Sequence, residues 1–376
     1  MGEISSVDAE VAKQTTSKTE SKPTGPTKGK REYEFQGNRI EVNFVRFSGE
    51  ENPKSDSKKA AFLLTGWPMR ADAQITWGQP QMLAKDFGVN TYEIDGRPKG
   101  NFNMDSIVLE VEGIRQFASE LESNGINEIT LFGHSIGAAK AMDLALALQQ
   151  RNPNLKTNLV LMNPAGFYPQ DIWTLVRAYA GGAGVNAETK NPKRISQDFL
   201  PVLVNLTASI FKDIKQTKHN ILKLWRDQKL KSTEFNVNLA KIKSPVMIMV
   251  ATEDPLFPPE GIFPPEEVDK RIAFILPEDE LRQQIEQSGR WENLKEEERI
   301  RFGSKEVFVE DYLSHNRKTY QKIRTREARE QYLKEEVMPN AENIRVVVAE
   351  KYGNHIAFGV ERPRPSSYLI ARTLRS

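Results

Sequence analysis

Five consecutive residues, Gly133-His134-Ser135-Ile136-Gly137, have the types and spacing that could build a nucleophile. A serine hydroxyl becomes a useful nucleophile only when geometry and a neighbouring base activate it. At the tip of a very sharp turn, Ser135 would sit in a strained backbone conformation with its hydroxyl accessible to substrate. Larger side chains at positions 133 and 137 would collide across such a turn. Ala138 and Ala139 extend the run of small residues and would let a following helix pack closely. The helix N-terminus would lie under a developing negative charge. The pentapeptide alone is weak, because it has only three fixed residues. Its context is stronger. The apolar stretch NEITLFG, 127–133, precedes it and AAKAMDLALAL follows it, which is the strand–turn–helix setting a nucleophile elbow requires.

An activated serine needs a base and a group that orients the base. On an elbow of this kind they follow in chain order, acid and then histidine. Asp254 comes just after the apolar run MIMVATE, and His355 ends the segment Tyr352-Gly353-Asn354-His355. Both fall just past the carboxyl ends of expected strands, where open α/β sheets place their sites. The oxyanion needs two backbone N–H groups. Ile136, next after Ser135, would supply one. Trp67, in Thr65-Gly66-Trp67-Pro68, would supply the other, with Gly66 permitting the tight turn.

Simpler readings compete with each of these. Ser135 could sit in a strand–helix turn that needs only small residues and no nucleophile, Asp254 could merely open a turn before Pro255, and His355 could be a loop histidine. Glu253 is the nearest rival acid. His134 is read as packing beside the elbow, and His219 and His315 lie in charged segments. Trp77, Trp173, Phe199 and Leu203 are candidate pocket walls, although an apolar stripe such as Phe199, Leu203, Leu206 and Ile210 more often covers a core.

The elements that would position these groups alternate. REYEF and RIEVNFVRF, split by Gln36-Gly37-Asn38, predict a β-hairpin. The run KKAAFLLTGW, 58–67, contains a buried strand. A helix is predicted over 79–87, a strand over 89–95 and a helix over 105–124, with Ile107, Val108, Val111, Ile114, Phe117 and Leu121 at helical spacing. Strand 127–133, helix 136–150 and strand 157–163 follow. This alternation predicts a mostly parallel, doubly wound sheet. Residues 168–240 break it with helical patterns. Strand 245–255 resumes it, and a second break spans 266–342. In that break 34 of 77 residues are charged, against 28% for the chain, so it reads as surface helices laced with i, i+4 ion pairs. A last strand over 343–355 and a short helix over 366–375 close the chain.

The domain reading is therefore a tail over 1–30 and a core over 31–167, 241–265 and 343–376. A helical cap over 168–240 and a charged insertion over 266–342 interrupt the core. The tail is rich in Ser, Thr, Lys and Gly and has little to bury. Gly2 and Ser6 match a myristoylation pattern, but a plain tail reads better. The chain has 376 residues and no Cys. Disulfides, thiolate metal sites and a cysteine nucleophile are thereby excluded. With only four His, a multi-His metal site would have to use most of them, and no metal site is expected. Fifty-three basic residues against 51 acidic ones are not a nucleic-acid footprint. No apolar run approaches a membrane span, and the N-terminal segment carries no secretory h-region, so a cytoplasmic location is expected.

The segments LLTGWP, EIDGRPKGN, LFGHSIGAAKA, LMNPAGF, VMIMVATEDPLFP and KYGNHIAF resemble the α/β-hydrolase fold superfamily, from about Arg31 to the C-terminus. TGWP resembles the HGxP segment of the dehalogenase and epoxide-hydrolase branch, but Ser at the nucleophile position argues against the chemistry of that branch. The resemblance implies a Ser135, Asp254, His355 triad, oxyanion donors Trp67 and Ile136, a helical cap and no cofactor. The implied function is a serine hydrolase acting on a small-molecule carboxylic ester, less readily an amide or thioester. The alternatives are a non-catalytic binding protein on the same fold and an acyltransferase using the same triad. Three features depart from the family. Thr65 stands for the usual His, the Asp95–Asn101 turn is loosened, and Asp254 and His355 are 101 residues apart. The excess length is the charged insertion, a candidate surface for a protein partner.

Overall fold

In the computed structural model the chain is described for residues 25–50, 56–64, 71, 78–100, 104, 106–165, 167, 238–252, 254, 257–272 and 278–349. The chain enters through a hairpin, β1 (Thr27–Phe35) and β2 (Asn38–Phe47). Gln36 and Gly37 both have positive φ, 49° and 74°, as a two-residue turn matched to strand twist requires. β1 begins four residues before the expected start at Arg31, because its polar residues can pair along an edge without being buried. Gly29 lies flat under the Phe44 ring, where a Cβ would meet ring carbons at 2.1 Å.

β3 (Lys59–Leu64), α1 (Gly78–Phe87), β4 (Asn90–Lys99), α2 (Ser106–Ser123), β5 (Glu128–His134), α3 (Ile136–Arg151) and β6 (Lys156–Met162) then alternate. β7 (Val246–Ala251) and β8 (Ile344–Ala349) complete an eight-stranded sheet. Its order is β1-β2-β4-β3-β5-β6-β7-β8. β2 runs antiparallel to both neighbours, and every pair from β4 to β8 is parallel. One row of the register reads Ile94, Leu64, Gly133, Leu161, Ile248. The central strands are buried on both faces, hence their continuous apolar runs.

One sheet face carries the larger core. α2 and α3 pack there with Leu109, Ile114, Phe117, Ala141 and Met142 against Phe62, Leu131 and Leu161. Val108 is half exposed and turns away from that core, contrary to its place in the predicted apolar face. Gly113 brings α2 onto β2, since a Cβ there would sit 2.6 Å from Ile40. Phe62, Tyr92 and Phe117 meet edge-on or tilted at centroid distances of 5.6–5.8 Å. The opposite face holds Ala61, Leu63, Phe132, Val160, Met162 and Met249 under Leu83 of α1.

Between β7 and β8 lie α4 (Pro259–Ile262), α5 (Pro265–Ile272), α6 (Glu278–Gln287), α7 (Glu296–Phe302) and α8 (Lys305–Tyr332). One π-helical turn, Leu333–Val337, ends α8. This charged region is helical, but it is not all surface. Val268, Ala328, Leu333, Met338 and Ala341 belong to the main core, because two parallel neighbours such as β7 and β8 need a crossover that packs back on the sheet. The part that stands apart is the stretch around Ile285, Phe308, Val309 and Leu313, which forms a small apolar cluster of its own with Trp291 and Phe302.

Candidate active site

The turn between β5 and α3 is built as its sequence requires. A Cβ on Gly133 would lie 2.4 Å from the Ala138 Cα and 2.4 Å from the Gly137 carbonyl oxygen. Only glycine lets the strand and the helix approach so closely. Ser135 occupies φ 58°, ψ −124°, a region that costs a side-chain-bearing residue about 1–3 kcal/mol. Three backbone partners hold it there. Its N–H donates to the Met162 carbonyl at 3.0 Å, and its carbonyl accepts from Ala138 and Ala165 at 3.0 and 3.2 Å.

Ser135 is the N-cap of α3, yet its hydroxyl makes no capping hydrogen bond to that helix. An N-cap serine ordinarily accepts from a first-turn N–H; this one does not. Ile136 is the first residue of α3. Its N–H belongs to the first turn, where no carbonyl within the helix is available. Gly137 and Ala138 are buried against the sheet, and His134 is half-buried beside them.

Asp254 lies three residues past the end of β7 and is 2% exposed. Its N–H donates to the Ala251 carbonyl at 3.3 Å, and its Oδ1 accepts from the Phe257 N–H at 3.1 Å. The carboxylate thus does open a turn, and it is also buried at the strand end expected for the acid. Trp67, Trp77, Trp173, Phe199, Leu203 and His355 lie outside the described residues, as does Thr65. The structure therefore brings together Gly133, Ser135, Ile136 and Gly137 at one strand end, with Asp254 past the end of β7, two strands away across β6.

Asp95–Asn101 is not a turn throughout. β4 continues to Lys99 and pairs with β2 as far as Arg39↔Lys99, and Gly100 takes positive φ. Gly96 is required where α2 crosses, since its Cβ would stand 2.8 Å from the Glu110 carbonyl oxygen. The Asp95 carboxylate receives both Nε and Nη2 of Arg97 at 3.0 Å. Its Oδ2 also accepts from the Ala71 N–H at 2.9 Å, which ties the chain beyond β3 to the middle of β4.

Two ion pairs steady α3. Lys140 meets Glu110 of α2 at 2.9 Å, and Glu112 of α2 holds Arg151 at 2.7 Å. Among the described residues there is no cluster of three or more His, Cys, Asp or Glu placed to hold a metal. No helix among them is long and apolar enough to cross a membrane.

Sequence reasoning assigns no role to Asn163. It follows β6, takes φ 41° and is fully buried. The available signal is an Asn-Pro pair directly after an apolar strand, a turn-starting dipeptide.

No protein-family model matches the chain, and no curated protein matches its sequence. Solved structures do resemble it. A protein of Acinetobacter baumannii AYE described as a lipase aligns with 93% of this chain and 91% of its own, at 13% identity and TM-score 0.52. The chain has the α/β-hydrolase fold. The same share of the chain, 93%, aligns with an esterase of Pyrobaculum calidifontis, 84% covered, at 11% identity and TM-score 0.46. A Pyrococcus furiosus esterase, 92% covered, gives 12% and 0.44. The assignment to the α/β-hydrolase fold rests on the first alignment and on the strand order with its antiparallel β2.

Proposed function

We propose that the protein is a serine hydrolase acting on a carboxylic ester. The observation that carries this reading is Ser135, a non-glycine residue held at φ 58° whose hydroxyl does not cap the helix it begins. Strain of this kind persists only where surrounding contacts over-determine it. Here it occurs at the carboxyl end of a strand in a parallel sheet, where such folds place ligands.

In the proposed reaction the Ser135 Oγ attacks the ester carbonyl and its proton passes to His355. Asp254 orients the imidazole and stabilises the imidazolium. The N–H groups of Ile136 and Trp67 receive the oxyanion. His355 protonates the departing alcohol, and water then attacks the acyl-enzyme with His355 as its base. That His355 and Trp67 take part rests on their place in the sequence. The buried position of Asp254 past the end of β7 supports it as the acid.

The test is labelling by a fluorophosphonate probe, which reacts only with an activated serine. Wild-type protein should label stoichiometrically and Ser135→Ala should not label. A wild-type protein that stays unlabelled while folded would overturn the enzyme reading in favour of a binding protein. A series of p-nitrophenyl esters of graded length would then define the acyl group.

A further inference from the structure

We infer that Asn163 is a positioning residue that locks the nucleophile turn to the loop carrying the acid. This rests on the proposed roles of Ser135 and Asp254. In a parallel ladder a residue placed between two partners donates its N–H to one and accepts with its backbone carbonyl from the other, in evenly spaced bonds. Asn163 follows Met162, whose partner is Met249. Its N–H donates to the Met249 carbonyl at 2.8 Å, as the ladder dictates. The next bond is different. Ala251 donates its N–H to the side-chain Oδ1 of Asn163, also at 2.8 Å.

The side-chain amide has taken the place of the backbone carbonyl. The reason is the backbone itself: at φ 41° the main chain of Asn163 has already left the strand direction. The substitution keeps β6 and β7 joined for one more bond while releasing the chain to turn. Two residues later that released chain supplies the Ala165 N–H to the Ser135 carbonyl. On the other side, the Ala251 carbonyl accepts from the Asp254 N–H. A continuous path of hydrogen bonds and single residues therefore runs from Ser135 through Met162, Asn163 and Ala251 to Asp254.

Asparagine suits this position on two counts. It tolerates positive φ better than other side-chain-bearing residues, and its amide oxygen can stand in for a backbone carbonyl. Alanine has neither property, glycine has only the first, and aspartate has both at the cost of a buried charge. The set of variants therefore separates the backbone from the side chain.

The experiment measures the second-order rate of fluorophosphonate labelling at Ser135, with kcat and KM on a p-nitrophenyl ester, in full-length protein below the melting onset of every variant. A misplacement of about 1 Å in such a site costs on the order of a hundredfold. Asn163→Ala and Asn163→Gly should both label about a hundredfold more slowly, with kcat reduced and KM little changed, while Asn163→Asp recovers most of the rate. A merely structural role would lower melting temperatures and leave the labelling rate intact, which would overturn the inference. Full recovery by Asn163→Gly would also overturn it, because the backbone conformation alone would then suffice. Absence of Ser135-dependent labelling in the wild type would instead refute the hydrolase reading.

Discussion

Replacing Gly133 with alanine tests the elbow more directly than removing its hydroxyl. The added Cβ would lie 2.4 Å from the Ala138 Cα, 2.4 Å from the Gly137 oxygen and 2.6 Å from the Ala138 nitrogen. All three are backbone atoms, so no side-chain rotation relieves the clash. Ordinary carbon contacts lie near 3.5–4.0 Å, so the start of α3 must retreat from β5 by roughly 1 Å. The buried Leu144, Ala145 and Leu148 resist that movement. Overpacking of this kind costs about 1–3 kcal/mol, and the rigidity of the neighbours places this case near the upper end. The same shift moves Ser135 and should slow its labelling on the order of a hundredfold. Gly125→Ala is the control. Gly125 lies at the opposite end of β5 with φ 96° and has no atom within 4 Å of where a Cβ would stand. Its replacement should cost roughly 1–2 kcal/mol in strain alone and leave labelling unchanged. Denaturant unfolding gives the stabilities and probe kinetics give the rates. If Gly133→Ala matches wild type in both, the close strand–helix approach is not what shapes this turn.

Asp254→Asn keeps the acceptor for the Phe257 N–H and should leave stability nearly unchanged while kcat falls by about 10⁴. A small fall would reassign Asp254 to turn formation. Phe308→Ala removes the ring that meets Trp291, Phe302 and Tyr312 in the satellite cluster at 5.7, 5.3 and 5.9 Å. It should cost up to about 3–5 kcal/mol locally, seen as faster amide exchange in α6 and α7 with Ser135 labelling intact; loss of labelling would show that the insertion shapes the site. Glu41 should make the hairpin acid-sensitive. Burial acts to raise its pKa, but hydrogen bonds from Lys30, Lys99 and Asn43 outweigh this and lower it to about 2. Its contribution is thus complete above the ordinary value of 4.5 and is lost as the pH falls toward about 2. Glu41→Gln should flatten the acid limb of the stability profile over that window, and an unchanged limb would remove Glu41 from the account.

The alternation of strands and helices was legible because buried parallel strands and amphipathic helices leave different periods in a sequence. The sharp turn between β5 and α3 was legible because strand, glycine, serine, glycine and helix are adjacent along the chain. Val108 misled because spacing assigns a face, and only packing decides where that face ends. The stretch Asp95–Asn101 read as a turn by its resemblance to the family's segment, yet β2, far earlier in the chain, offered Asp95–Lys99 a ladder partner. Pairing of that kind overrides local propensity.

The residue types at the turn between β5 and α3, and the fold class, follow from the sequence by itself, since each leaves a local pattern along the chain. Tertiary structure alone decided that the Ser135 hydroxyl is not used as a cap, that part of the charged region between β7 and β8 serves the main core, and that Asn163 replaces a backbone carbonyl with its side chain. The physical reason is common to the last two. Each depends on which atoms of distant segments lie within hydrogen-bond or van der Waals reach, and that distance is set by sheet register and packing, which residue spacing along the chain does not encode.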